Sequence, residues 1–423
     1  MAKIRSTTAC AAAMLAAAAS AALAQQPPSP PIPTLQLRAE FRERVEGEHP
    51  YFLSRLRVNA TVTPARLLSL QAQVQDARVA RETVGTTGAP FKAPFDLRTA
   101  FADIGDGKTP IAARVGRQEL AFGEQRLVGH VSWLNAARTF DAVKVTLRRP
   151  AFSVDAFAAS VVRIMDGAFD RSGGGNRFAG AYATAARLIP LGSVEPYVFW
   201  RRDVNLRSET ATVGDLAQAT VGVRVAGRVP GRLDYGIEMA MQRGSLAGDE
   251  IEAWAGHWQL RESLPGRGTV RLTGEYNYAS GDADPADGRR GTFDQLYPTP
   301  HDKYGLADQI GWKNIHHLRA GVELTPRTGW PLTANYHSWW LAERRDGVYT
   351  AGSAPLARVI GGAVDRHVGQ ELDIQVSRAI VRQLQLAAGY AHIFTGAFLK
   401  QATPGASYSH PYVMVTYVFL AER

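Results

Sequence analysis

The sequence predicts an all-β protein: a transmembrane, antiparallel, up-and-down β-barrel of about eighteen strands. Three observations carry this. Apolar and polar residues alternate one by one along most of the chain, connections alternate between tight turns and long loops, and the last strand ends close to an aromatic residue. Composition agrees. Gly and Pro make up about 15% of the 423 residues, above the usual share of roughly 12%, so turns are many. A mean hydropathy of −0.17 excludes a bundle of membrane helices, but not a barrel with a polar inner face. A single Cys excludes a disulfide framework and a Cys-based zinc site.

Residues 1–24 read as a secretory signal peptide. Lys3 and Arg5 precede an Ala-rich apolar core over 9–22, and Ala22-Leu23-Ala24 is a small-residue cleavage site. The core is too short and Ala-rich for a membrane anchor. Residues 25–34, with five prolines, read as an extended lead-in. The barrel domain is then 35–423.

In the first strand Leu35, Leu37, Ala39 and Phe41 alternate with Gln36, Arg38, Glu40 and Arg42. Leu56, Val58 and Ala60 alternate with Arg55, Arg57 and Asn59, and Val143, Val145 and Leu147 with Lys144, Thr146 and Arg148. Strict alternation gives a strand with one apolar and one polar face. Further segments of this kind centre near residues 71, 99, 115, 158, 183, 198, 223, 238, 255, 274, 319, 336, 374, 389 and 415.

Every second connection is short, as at Gly105-Asp106-Gly107-Lys108, Val229-Pro230-Gly231-Arg232 and Leu264-Pro265-Gly266-Arg267. Those between are mostly long, including 77–94, 121–139, 165–177, 203–217, 281–312, 343–368 and 396–409. Tight turns on one rim and long loops on the other mark an outer-membrane barrel, with the short side and both termini in the periplasm. A soluble sandwich has no reason to sort its loops so. The partners implied are the bilayer of a Gram-negative outer membrane and the barrel assembly machinery. A monomer is expected. Aromatics at strand ends, Trp254, Trp258, Tyr276, Tyr278, Trp330, Tyr336, Trp339 and Trp340, read as interfacial girdles.

So many strands enclose a lumen too wide for side chains to fill. Its candidate lining is the polar face: Arg38, Arg42, Arg55, Arg57, Lys144, Arg148, Arg224, Arg271 and Arg319, against Glu40, Glu275, Glu323, Glu371 and Asp373. The positive excess points to passage of anions, since Arg stays charged and binds carboxylates in pairs of hydrogen bonds. Pairing of individual arginines with these acids is the competing reading.

Two segments say more. In Gly116–Asp141 (GRQELAFGEQRLVGHVSWLNAARTFD), Arg117, Glu119, Glu124, Arg126 and Arg138 are interspersed with Leu120, Phe122, Leu127, Trp133 and Phe140. A loop that apolar is expected to fold inward and narrow the channel. Its alternation slips at Gly116, where a bulge is expected, leaving the facing of Arg117 open. In Tyr278–Trp312, Asp282, Asp284 and Asp287 are weak candidates for Ca²⁺. The Gly and bidentate Glu of an EF-hand loop are missing, so a solvated acidic loop is preferred and no metal is assigned.

Both segments, in order, resemble the alginate export family of outer-membrane porins. The GRQ, GEQRL and W-x-N-x-x-R-x-F-D elements occur together, and the likeness covers most of the chain after residue 24. The resemblance implies an eighteen-stranded monomer whose lumen passes an anionic polysaccharide outward. A general or small-anion uptake porin is the alternative. No nucleophile constellation surrounds His337-Ser338 or Ser409-His410, so no enzyme and no cofactor is expected. Basic residues lie scattered along strands rather than in a run, which argues against nucleic acid despite a pI near 9.7.

Overall fold

The computed structural model describes residues 34–82, 88–266, 269–326 and 329–422. The expected signal peptide, and all of the lead-in except Thr34, lie outside the described residues. The strands in chain order are β1 (Thr34–Glu46), β2 (Tyr51–Ala65), β3 (Leu68–Ala80), β4 (Ala93–Ile104), β5 (Ile111–Gln118), β6 (Phe140–Arg148), β7 (Phe152–Arg163), β8 (Arg171–Ser172), β9 (Arg177–Ala186), β10 (Gly192–Arg207) and β11 (Val213–Val229). They continue with β12 (Leu233–Leu246), β13 (Asp249–Leu264), β14 (Thr269–Ala279), β15 (Arg289–Arg290), β16 (Ile315–Thr325), β17 (Leu332–Leu341), β18 (Val348–Tyr349), β19 (Pro355–Ala357), β20 (His367–Val381), β21 (Leu384–Thr395) and β22 (Tyr408–Glu422). One short helix, α1 (Ala397–Ala402), sits in the last long loop.

Strands β8 and β15 are two-residue loop segments that pair with the ends of β7 and β13, and β18 and β19 form a small ladder of their own. The other eighteen form one antiparallel barrel, and every expected strand is among them. The barrel closes because β1 pairs with β2 on one side and β22 on the other, Phe41 facing Leu56 and Tyr417 in the same rung. Closure removes the open edges that a flat sheet would have to protect. Apolar residues of the alternating pattern form an exposed outer band that includes Leu37, Leu56, Val115, Val143, Val221 and Leu318. In water such a surface is costly; in hydrocarbon it is the required one.

The main apolar core lies inside the barrel. It joins inward residues such as Phe140, Phe157, Phe178, Phe199 and Trp339 to loop residues Leu120, Phe122, Leu127, Tyr304, Leu306 and Trp312. Trp339 therefore belongs to the interior, where its indole N–H donates to the Tyr304 carbonyl at 3.0 Å, and not to the interfacial girdle. Trp254, Trp330 and Tyr336 do lie exposed.

The expected bulge at Gly116 is absent. The register runs unbroken through Phe101, Gly116 and Ala142. Gly116 instead holds φ at +126°, and a Cβ there would sit 2.2 Å from the Ala100 carbonyl oxygen. The parity slip arises because β5 ends at Gln118, so Leu120 and Phe122 belong to the loop.

Candidate functional site

The connection between β5 and β6 turns into the lumen and crosses it. On one wall Arg42 donates to the carbonyls of Ser132 and Trp133, both at 3.0 Å, and Arg55 to those of Ser132 and Leu134 at 3.0 and 3.1 Å. Arg44 donates to the Trp133 carbonyl at 2.7 Å and lays its guanidinium 3.8 Å from the Trp133 ring centre. On the other wall Glu124 meets Arg224 of β11 at 3.1 Å, and Arg126 meets Glu275 of β14 at 2.9 Å. Counted round the barrel, β11 is nine strands from β1, so the loop is tied to opposite walls.

Charge-assisted bonds of this kind contribute about 1.5–3 kcal/mol each. Arg42 has no carboxylate partner among the described residues; backbone carbonyl dipoles and the Asn135 side chain take its two terminal nitrogens. Asn135 fixes the loop further by donating to the carbonyls of Ser54, Arg78 and Phe91. The apolar part is held by ring contacts, with Phe122 stacked 5.3 Å from Phe157 and 5.1 Å from Tyr182.

The β14–β16 connection folds in against it. Tyr297 forms an isolated parallel bridge with Val128, and Thr299 donates to the Gln125 side chain at 2.8 Å. His301 stacks 3.8 Å from Trp133. Asp294 pairs with Arg201 at 2.6 Å on the wall of β10, and Glu371 of β20 accepts from the Ala307 N–H. The two segments singled out in the sequence are thus one assembly across the bore.

Loop electrostatics follow from this burial. Desolvation pushes the Glu124 carboxyl up, but Arg126, His257 and Arg224 outweigh it and hold it at about 2. Glu124 is therefore a fixed anion. Arg138 is the reverse case: burial, with Arg201 nearby, brings it down to about 10. It donates to the Gly129 and Pro298 carbonyls, at 3.1 and 2.9 Å, clamping one loop to the other.

The remaining sequence candidates are placed as follows. Arg38 is exposed, opposite Asn59. Arg57 is buried and donates to Gln75 at 2.8 Å. Arg55 also pairs with Glu40 at 2.6 Å. Arg271 lies 3.5 Å from Glu323, and Arg319 lies 3.7 Å from Glu275. Glu119 pairs with Arg98 of β4. Arg117 does not join the loop. It shares its ladder side with Val115 and Val143, both exposed, and pairs with Asp141 at 2.8 Å on the barrel's outer face.

Asp282, Asp284 and Asp287 accept backbone N–H groups, and Asp284 also faces Arg345 at 3.3 Å. Among the described residues no cluster of three or more His, Cys, Asp or Glu side chains is arranged to hold a metal.

Two polar clefts open on the lumen. One, of ≈ 390 Å³, lies toward the short-turn rim, where Asp103, Arg114 and Lys144 share one inner rung, with Arg66 and Arg148 nearby. The other, also ≈ 390 Å³, lies against the crossing loops between Glu124, Arg126, Arg261, Lys303, Arg319 and Glu323.

Sequence reasoning missed a buried polar chain on the inner wall. Asn277 links His257 to His317 with contacts of 2.8 and 2.9 Å, His317 Nε2 lies 2.9 Å from His337 Nδ1, and His337 Nε2 lies 3.0 Å from Asp373. These residues sit on five consecutive barrel strands, β13, β14, β16, β17 and β20, so no spacing in the sequence announces them. Arg44 was legible, having the parity of Arg42.

The comparisons with known proteins agree with this architecture. The crystal structure of Pseudomonas aeruginosa OccK3 (OpdO) superposes with a TM-score of 0.61 at 9% identity, over 92% of this chain and 96% of that one. The outer membrane protein opdK from Pseudomonas aeruginosa gives 0.62 at 11% identity, over 92% and 99%. The structure of OpdK with vanillate gives 0.60 at 10% identity, also over 92% and 99%. Identities this low speak for the fold, that of an outer-membrane porin. No curated protein sequence matches the chain. The family model described as alginate export matches residues 35–413, nearly the whole barrel. The chain therefore belongs to the alginate export family, as an eighteen-stranded barrel of the Gram-negative outer membrane.

Proposed function

We propose that this outer-membrane channel passes a carboxylated, alginate-like polysaccharide out of the periplasm, as a single chain with no catalytic role. The observation that carries the reading is the lining of the two lumenal clefts. Each mixes Arg or Lys with carboxylates and with hydroxyl or amide groups: Thr63, Ser69 and Thr146 in one, Gln259, Thr333 and Gln375 in the other. A polyuronate presents one carboxylate and several hydroxyls per sugar. Wet, partly neutralised cationic sites bind such a chain weakly and repeatedly, which permits movement where one tight site would trap it. The family assignment supports the same substrate class.

One observation favours the second reading, uptake of small anions. The bore is crossed by the β5–β6 loop, tied to opposite walls with the β14–β16 loop folded against it, and each cleft is confined to ≈ 390 Å³. Planar-bilayer recording with oligouronates of increasing length separates the two. Length-dependent block of the current supports the polysaccharide. Free permeation by small anions with no oligouronate block overturns it in favour of uptake.

A further inference from the structure

The outer face carries an arginine pair that passage through the lumen does not use. Arg177 of β9 and Arg202 of β10 are direct cross-strand partners. Both are exposed, and alternation puts them opposite to the buried Phe178 and the inward-facing, half-buried Arg201, on the outward side with Trp200. Like charges directly opposed on a sheet repel. Among the described residues neither guanidinium has a carboxylate within ion-pair distance. Strand β11 offers Ala217 at the same rung.

The height of the pair is set by the strand. Arg202 is ten residues beyond Gly192, where β10 leaves its tight turn. Ten residues at ~3.3 Å each, tilted by ~40°, rise roughly 25 Å, the height of the apolar band. Arg202 thus stands at the long-loop edge of that band. Trp200, 50% exposed, lies one outward position below it, at the depth where Trp meets lipid headgroups. Arg243 reaches the same height, ten residues into β12, but is already paired with Glu252 at 2.9 Å.

We propose that Arg177 and Arg202 bind a phosphate on the headgroup of an outer-leaflet glycolipid, whose acyl chains lie along the β9–β11 face beside Trp200. Two forked guanidinium groups match the oxygens of one phosphate, and the bound anion relieves the repulsion between them. The partner is a lipid and not free phosphate because the pair sits at the band edge, where an anchored headgroup is already present at high local concentration.

The test uses the purified full barrel in detergent with bisphosphorylated lipid A as probe. Affinity is measured for the native chain, the single variants, Arg177→Gln/Arg202→Gln, and Arg149→Gln on the opposite rim. Heat-modifiable gel mobility reports folding. Lipid A should bind the native chain and Arg149→Gln alike, and the double variant at least ten-fold more weakly. Fully dephosphorylated lipid A should not bind, and inorganic phosphate should not compete. Without lipid, each single variant should be at least as heat-stable as the native barrel, because repulsion is removed. With lipid, only barrels holding both arginines should gain stability. Unchanged affinity in the double variant, equal loss in Arg149→Gln, or equal binding of the dephosphorylated lipid would overturn the proposal. Competition by inorganic phosphate alone would overturn the lipid as occupant.

Discussion

Replacing Arg126 by Met tests whether the crossing loop is held shut by its tie to the far wall. Met keeps most of the stem and removes the charge. Arg126 is 2% exposed and Glu275 not at all, so the change leaves a buried carboxylate without its closest cation. Breaking a buried pair from one side costs about 3–5 kcal/mol. Glu275 keeps bonds from Gln259 and Asn277, both at 2.8 Å, and Arg319 stays at 3.7 Å, so the lower end applies. About 3 kcal/mol is roughly a hundred-fold in population. The barrel wall does not depend on this contact, so the loss falls on the loop. The loop should leave the β11–β14 side roughly a hundred times more often. Single-channel recording should show larger, noisier conductance, and limited proteolysis should cut within 119–139. The double variant Arg126→Met/Glu275→Leu removes both charges and should recover much of the native behaviour. A folded Arg126→Met barrel with native conductance and a protected loop would refute the reasoning.

Three further outcomes are expected. A tag inserted at Gly288, in a long loop, should be labelled on intact cells, and one at Gly231, in a tight turn, should not; reversed labelling would invert the membrane orientation. Arg38→Glu should shift the reversal potential toward cations under a salt gradient, more at low salt than at 1 M, where screening shortens the field to ~3 Å, and leave the loop in place. Arg42→Glu with Arg55→Glu should also free the loop, because carboxylates would face the carbonyls of residues 132–134; equal loop protection in the two variants would sink this distinction. Burial, with Asp346 and Asp282 beside it, raises Glu209 to about 7, above its ordinary 4.5. Its protonated form is therefore favoured in the folded loops; that contribution is full below about pH 4.5 and gone above 7. The contact of Glu209 and Asp346 with Thr292 should loosen between pH 5 and 8, seen as faster amide exchange near 292, and Glu209→Gln should abolish the change.

What could be read in advance follows the physics of each element. Lipid on one side of every strand imposes period two, so the eighteen strands stand out in the sequence. The apolar content of 120–140 foretold an inward loop, because Leu120, Phe122 and Leu127 need a dry neighbour. Parity placed Arg42 and Arg55 on the polar face, but not what they hold there: the carbonyls lie 90 and 77 residues away in the chain, and no local pattern encodes that. Arg117 was undecidable because the strand ends one residue later. Trp339 misled because an aromatic at a strand end looks the same whether it meets headgroups or a folded loop. The histidine chain was invisible, since its members meet only across rungs.

Trp133 sits where the first and last barrel strands join. Arg44 of β1 covers its ring, and Tyr412 of β22 meets it edge-on, 5.0 Å between centres. Its seat is complete only when β1 and β22 have paired. The contacts that hold Trp133 are complete only in a barrel closed at this seam, so loop docking and barrel closure support one another. A barrel parted between β1 and β22 would then lose both its wall and the plug across its bore.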